Sequence, residues 1–173
     1  MTDTTLPLAL TLPSGVERMF PTLTPAQIKR IAAHGHVRSI RAGEVLVEPG
    51  ELIVPFFVVK AGRVEIVRPS ATRETLVIVY GPGQFTGEVN MLSGRPAILR
   101  VRASEAGEVI EVTRERLLAL VQTDSELSEL IMRAFIVRRV ELIAHGLGDV
   151  VLLGSNHCSG TLRVKEFLTR NGH

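Results

Sequence analysis

The sequence predicts a mainly β fold with flanking helices, that is, an α+β domain. Between Val37 and Val112, short β-branched runs alternate with gaps that contain glycine or proline. Turns recur there about every eight to twelve residues, which is typical of an antiparallel sandwich or barrel. On both sides of this region apolar residues recur at helical spacing. With 173 residues, of which 45% are hydrophobic and 22% charged, the chain can bury a core, and its composition excludes a disordered or fibrous protein.

Residues 1–20 show no sustained periodicity and are interpreted as an N-terminal arm. The first helix signal is Thr24-Pro25, because a threonine can cap a helix whose first position is a proline. Apolar residues then follow at helical spacing, and Gly35 is expected to close this helix.

The β region is predicted to form an antiparallel sandwich or barrel. The Ala61-Gly62 pair stands between two β-branched runs and is interpreted as a tight hairpin turn. The predicted strands are Val37 to Ile40, Val45 to Val47, Phe56 to Lys60, Arg63 to Val67, Thr75 to Tyr80, Ile98 to Ala103 and Val109 to Val112.

Helical periodicity returns after Thr113. A first helix is expected from Arg114 to Val121, and a long C-terminal helix within residues 124–148 is expected from Ser125 to about His145. The apolar positions of the long helix cover more than one stripe. Either the roll covers one face and a second copy covers the other in a homodimer, or the helix lies deep within a larger protein.

The tail, residues 149–173, begins with a strand-like run from Val150 to Leu153. A polar loop follows, and then a helix that is expected to end at Asn171-Gly172. This order predicts one short β-α unit.

The informative motif lies within residues 83–103. Gly87 and Glu88 open one short helical turn between strands, and the free N–H groups of such a turn favour an anion. Glu88, at the rim of the same spot, can accept hydrogen bonds from sugar hydroxyls. Together these features predict a phosphate-plus-ribose socket; the alternative is that Glu88 only satisfies local amides at the helix N-terminus.

This segment resembles the phosphate-binding cassette of the cyclic-nucleotide-binding domain family, found in catabolite activator-type regulators, cyclic-nucleotide-gated channels and protein kinase regulatory subunits. Residues 41–51 and 57–64 resemble the first half of the barrel of this family, so the resemblance runs from about Thr24 to His145. It implies a β-roll or jelly roll over residues 21–123. It implies a regulatory, ligand-sensing signalling domain that binds a cyclic nucleotide such as cAMP and performs no chemistry itself.

The cassette departs from the family pattern at two positions. Family members usually place an arginine directly after the cassette proline, where it pairs with the cyclic phosphate, but this chain has Ala97 there. Ile98 follows, where a small residue is common. Losing an arginine–phosphate contact lowers affinity by roughly ten- to a hundredfold. Three alternatives stay open: Arg95 or Arg100 substitutes for the missing arginine, the cassette no longer binds, or the ligand is a different anionic or apolar molecule.

The ligand-binding residues implied by this resemblance are Gly87, Glu88, Val89, Arg95, Ala97, Ile98 and Arg100.

The tail resembles the first β-α unit of a thioredoxin- or glutaredoxin-like fold. Cys158 matches the nucleophilic cysteine of that motif, and Thr161 stands where the second cysteine often is. A thiol at a helix N-terminus is activated as a thiolate. Because cyclic-nucleotide-binding modules also occur ahead of thioredoxin-reductase-like flavoenzymes, the alternative interpretation is that the chain is the N-terminal regulatory part of such an oxidoreductase.

Other function classes are not expected. The residues after Gly148 begin like a strand, which does not fit the helix-turn-helix of DNA-binding relatives. The histidines show no metal-ligand spacing, and no catalytic constellation is recognisable, so neither a metal, a cofactor nor catalysis by this chain is expected. The longest apolar run, Leu52 to Val59, contains Pro55 and is too short to span a membrane, so a cytoplasmic protein is expected.

Overall fold

A computed structural model describes residues 18–70, 73–87, 91–92, 94–144 and 158–170. The chain divides into two compact units between Arg139 and Val140. The helices are α1 (Pro25–Ala32), α2 (Arg114–Thr123), α3 (Ser125–Ala144) and α4 (Ser159–Arg170). The strands are β1 (His36–Ile40), β2 (Val45–Val47), β3 (Phe56–Arg68), β4 (Thr75–Tyr80) and β5 (Arg100–Val112).

Among the described residues, five strands form one antiparallel sheet in the order β1-β5-β3-β4. Strand β5 is the centre of this sheet. It pairs with β3 along most of its length and, on its other side, with β2 near Arg102 and with β1 from Gly107 to Glu111. The expected mainly β fold with flanking helices is confirmed.

The predicted hairpin turn at Ala61-Gly62 is wrong. Residues 56–68 form one continuous strand, and Ala61 pairs with Glu108 of β5 at an irregular point of the ladder. Gly62 has a φ of 79° there, so the glycine serves a β-bulge and not a chain reversal. The predicted strands Ile98 to Ala103 and Val109 to Val112 are likewise one strand, since β5 runs through Gly107 without a turn.

Both faces of β3 are buried at its start, which explains the unbroken apolar run from Phe56 to Val59. Phe56 and Val58 pack into a first core cluster, between the sheet and α1, α2 and α3, while Phe57 and Val59 pack into a second cluster. Side chains that alternate along a strand point to opposite faces. The second cluster is completed by Ile40, Val47, Val64, Ile66, Tyr80, Val101, Ala103 and Val109.

The helix ends follow local capping rules. Thr24 and Gln27 form a capping box at the start of α1, and this helix ends at Ala32, three residues before Gly35. The Asp124 carboxylate accepts a hydrogen bond from the backbone N–H of Leu127 at 3.1 Å and so caps α3. No helix in the described part of the chain is long and apolar enough to cross a membrane.

The two ends of the chain test the remaining predictions only in part. The predicted arm over residues 1–20 lies mostly outside the described residues, as do His145 and the predicted strand from Val150 to Leu153. Helix α4 lies where a tail helix was predicted. The proposed domain boundaries therefore stay predictions.

Candidate functional site

The segment that leads into the predicted cassette is fastened to β3. The Gly83 N–H donates to the carbonyl of Val59 at 2.8 Å, and the Thr86 N–H donates to the carbonyl of Phe57 at 2.9 Å. The buried Thr86 hydroxyl accepts the Phe57 N–H in return, at 3.1 Å. The cassette thus begins from a fixed point on the sheet.

Gly87, the first predicted ligand-binding residue, lies directly against α3. Its φ is 105°, a conformation that side chains rarely adopt. A Cβ at this position would lie 2.9 Å from the Phe135 ring and 3.0 Å from the end of Met91. The Gly87 carbonyl also accepts a hydrogen bond from Arg138 of α3 at 2.8 Å. Only glycine fits this close approach between the cassette and α3.

The described part of the short cassette helix is held by a second arginine. Arg114, the first residue of α2, donates from Nε and Nη2 to the Leu92 carbonyl at 3.1 and 2.7 Å. Met91 beside it is buried in the first core cluster. Two arginines therefore bind backbone carbonyls on either side of residues 88–90.

Glu88 and Val89, two of the predicted ligand-binding residues, lie outside the described residues. Arg95 and Ile98 are both half-buried, and Arg95 has interactions of its own. Their roles stay predictions.

Ala97 is tied to the loop after β2. Its N–H donates to the Glu51 carbonyl, and its carbonyl accepts from the Gly50 N–H, both at 2.8 Å. The side chain is half-buried against the second core cluster, close to Leu99 along the chain. The residue that replaces the family's arginine therefore sits in an ordered backbone pairing.

Arg100 faces two carboxylates on the outer side of the sheet. Its Nε donates to Glu48 at 2.9 Å, and its Nη1 contacts Glu74. The hydrogen bond that Arg100 donates to the Glu48 carboxylate raises the pKa of Arg100. Its neighbour Arg102 pairs with Glu65 and Glu74. Alternation along the strand puts Arg100 and Arg102 on one face and Val101 and Ala103 on the other, and in the structure Val101 and Ala103 are the buried pair.

Sequence reasoning missed Arg114 and Arg138 as contacts of the cassette. Arg138 falls four residues after Ala134 and three after Phe135, both fully buried, so it occupies the buried face of α3. The sequence did contain a signal for Arg138, because a charged residue stands there at a position where the helical spacing predicts an apolar one. Arg114 offered none, because it follows a helix cap like many surface arginines.

Cys158 is exposed at the start of α4. Hydrogen bonds from the backbone N–H groups of Thr161 and Gly160, and then from the Thr161 side chain, lower the pKa of this thiol. This fits the predicted activation at a helix N-terminus. Within the part of the chain that the structure describes, no group of three or more side chains could hold a metal ion.

The chain was compared with known proteins. The family model of the cyclic nucleotide-binding domain matches residues 37–124. A cyclic nucleotide-gated potassium channel of Mesorhizobium japonicum is 26% identical over 121 residues, which cover 70% of this chain and 32% of the channel.

An uncharacterised ABC transporter ATP-binding protein of Mycobacterium tuberculosis is 39% identical over 83 residues, 45% of this chain and 25% of that protein. The chain thus spans about a third or less of the curated relatives it matches. The crystal structure of the Thermus thermophilus catabolite activator protein superposes with a TM-score of 0.60 at 20% identity, covering 90% of this chain and 88% of that one. At that identity the likeness shows the fold.

Proposed function

Because this chain belongs to the cyclic nucleotide-binding domain family, we propose that it is a sensor whose cassette binds a cyclic nucleotide and whose long helix α3 reports the binding. The domain performs no chemistry itself. The observation that carries the proposal is the contact between Gly87, at the start of the cassette, and Phe135 of α3.

The ligand acts through packing. Gly87 has no side chain, and the Phe135 ring fills the space beside it. Since interiors are close-packed, a cassette that closes around a ligand must shift this ring or move with it. Ligand binding therefore biases α3 between two positions, and α3 biases whatever it is attached to.

The proposed ligand contacts are the seven residues named from the sequence, with unequal roles. Glu88 binds the ribose hydroxyls, and the N–H groups of the turn opened by Gly87 bind the phosphate. Arg100 already has Glu48 and Glu74 as partners, so it can reach a phosphate only by breaking ion pairs. With Ala97 in place of the usual arginine, we expect weak binding of cAMP or cGMP, with Arg95 or Arg100 as the substitute cation.

Isothermal titration calorimetry with cAMP and cGMP tests the proposal, with 5′-AMP as the non-cyclic control. We expect saturable heat with one cyclic nucleotide at up to millimolar ligand. Ala97→Arg restores the missing charge-assisted contact and is expected to tighten binding by about ten- to a hundredfold. Ala106→Arg adds the same charge at an exposed position of β5 and is the matched control.

Two results would reject cyclic nucleotide binding. One is the absence of heat with either nucleotide for both the natural chain and Ala97→Arg. The other is a gain in affinity from Ala106→Arg as large as the gain from Ala97→Arg, which would mean that net charge alone attracts the nucleotide. A gain confined to Ala97→Arg, with no heat from the natural chain, would identify a cassette that has lost its ligand.

We also propose that α3 forms a homodimer seam. Phe135 is fully buried against the sheet, whereas Ile136 is 51% exposed on the other side of the helix. The buried face of α3 already packs against the core, so the exposed apolar area on its other face favours pairing with a second copy of the chain.

Light scattering after size-exclusion chromatography measures the mass. We expect a dimer for the natural chain and a monomer for Ile136→Glu. Ile53→Glu, the same change at a loop residue that is 84% exposed, should stay dimeric. A natural chain that is monomeric at all concentrations excludes the seam.

Continuation into a thioredoxin-reductase-like flavoenzyme stays a prediction, as do the absence of DNA binding and the cytoplasmic location. Sequencing the gene beyond His173 tests the continuation, since a flavin-binding continuation supports the fusion and an immediate stop codon rejects it.

A further inference from the structure

Arg138 of α3 is a buried cation surrounded by aromatic rings. Only 5% of the residue is exposed. Its guanidinium carbon lies 4.7 Å from the ring centre of Phe85, 5.2 Å from that of Phe20 and 5.3 Å from that of Tyr80. Such ring faces attract a guanidinium electrostatically, and more strongly where water is excluded.

The guanidinium binds backbone, not carboxylate. Nε donates to the Met19 carbonyl and Nη1 to the Gly87 carbonyl, each at 2.8 Å. Nη2 is buried and, among the described residues, has no acceptor. One side chain therefore joins three segments that are far apart in sequence: the turn at residues 18–20, the start of the cassette and α3.

A buried arginine is energetically unfavourable if its only role is to fill space in the core. Removing a cation from water is unfavourable unless hydrogen bonds and charges compensate it, and the residues that the structure describes supply acceptors for only two of the three guanidinium nitrogens. An apolar side chain of similar length would fill the same space without that penalty. What the arginine adds is two directional bonds whose geometry depends on where the cassette and the N-terminal turn lie.

We infer that Arg138 is a positioning residue that couples the cassette to the N-terminal turn through α3, so that a change in the position of Gly87 also changes the position of Met19. The inference deepens the proposed function, on which its ligand-dependent part rests. When the cassette shifts, the Gly87 carbonyl moves relative to Nη1, and the bond from Nε to the Met19 carbonyl links that movement to the N-terminal turn. A ligand that favours the shifted cassette therefore also biases the position of the N-terminal turn.

Hydrogen exchange followed by mass spectrometry on the full chain tests the coupling without any ligand. Arg138→Met keeps the side-chain volume but removes both bonds. We expect exchange to become at least about tenfold faster in peptides that cover residues 18–24 and 82–87, because a bond from a charged donor is lost at each. Peptides from the central strands β3 and β5 should keep their rates.

Two further variants complete the set. Arg133→Met removes an exposed arginine of the same helix, one that pairs with Glu129, and should change neither peptide. Arg138→Lys keeps the charge but lacks the planar fork that reaches two carbonyls, so it should loosen at least one segment. If Arg138→Met does not fold, Arg138→Lys takes its place, and unchanged exchange in both segments of that variant overturns the coupling.

The outcomes separate the inference from a structural role. Faster exchange everywhere, including β3 and β5, means general destabilisation and overturns the coupling. Faster exchange in neither segment, or in only one of them for Arg138→Met, also overturns it.

Hydrogen exchange in the presence of cyclic nucleotide then tests the link to the proposed function. In the natural chain, saturating cAMP or cGMP should change exchange in both segments, and in Arg138→Met only in the cassette. A change at residues 18–24 that survives in Arg138→Met contradicts transmission through this residue. If nucleotide changes no peptide of the natural chain, the proposed function fails while the ligand-free comparison still decides the coupling.

Discussion

Gly87 is the residue at which conformation and packing constrain the site together. We expect Gly87→Ala to destabilise the chain by about 1–3 kcal/mol beyond the backbone strain, because the new Cβ would crowd Phe135 and Met91. Gly50→Ala is the matched control, since its φ of 91° imposes similar strain but no atom lies within 4 Å of the added Cβ. Thermal and urea unfolding of the two variants measure the difference. Equal losses would show that the Phe135 contact is unimportant.

Cys158 is the residue whose reactivity can be predicted. Because hydrogen bonds from Thr161 and Gly160 lower its pKa, more thiolate is present at neutral pH than for an ordinary cysteine. We expect faster alkylation by iodoacetamide at pH 7 in the folded chain than in the same chain in urea. Rates measured against pH give the apparent pKa in each state. If the apparent pKa of Cys158 in the folded chain is equal to or higher than its value in urea, the hydrogen bonds to the thiolate do not form in solution.

The sequence could assign outward and inward residues on β5 but not their partners. Alternation alone separated Arg100 and Arg102 from Val101 and Ala103. Glu48, Glu65 and Glu74 come from other parts of the chain, and only the fold brings their carboxylates to the two arginines. The same limit hid the contact between Arg138 and Gly87, which are 51 positions apart.

At the scale of elements, the close approach of β3 and β5 depends on Gly107. A Cβ there would lie 2.0 Å from the carbonyl oxygen of Ala61, which is backbone and cannot move aside. We expect Gly107→Ala to cost at least about 3 kcal/mol or to prevent folding. Gly81→Ala is the control, since its nearest atom is 4.0 Å away and belongs to the flexible Gln84 side chain. Circular dichroism during urea unfolding compares them, and similar midpoints would disprove the predicted clash.

The starts of helices were predictable and the bulge was not. A cap such as Thr24 or Asp124 acts within a few residues, so its signal is local. A glycine with positive φ serves a turn or a bulge equally well, and only the pairing of Ala61 with Glu108 decides between them.

The link between α1 and the start of α3 has a defined pH dependence. Arg30 and Gln27 donate hydrogen bonds to Glu126 and lower the pKa of its carboxyl group. The stabilisation is therefore present above the ordinary glutamate pKa and is lost as pH falls through the lowered one. We expect a carbon NMR titration to give a higher pKa for Glu126 in Arg30→Met than in the natural chain. An unchanged value would rule out the contact in solution.

For the whole molecule, the mainly β fold with flanking helices followed from the sequence, while the way the segment after Gly83 is held did not. Short β-branched runs between helices predicted the β domain, and the binding site within residues 83–103 stays a prediction. Phe135 was recognised only as an apolar position of a long helix. Its place beside Gly87 is a tertiary contact, and the proposed sensing depends on it.

The most direct test of the sensor is a nitrogen–proton NMR titration of the full chain with cAMP and cGMP. We predict saturable shifts at the Gly87 amide and at the Arg138 Nε–H, with shifts spreading along α3. The Gly107 amide, in the central part of β5, should not move. If neither nucleotide changes these resonances at millimolar concentration, the chain is not a cyclic-nucleotide sensor.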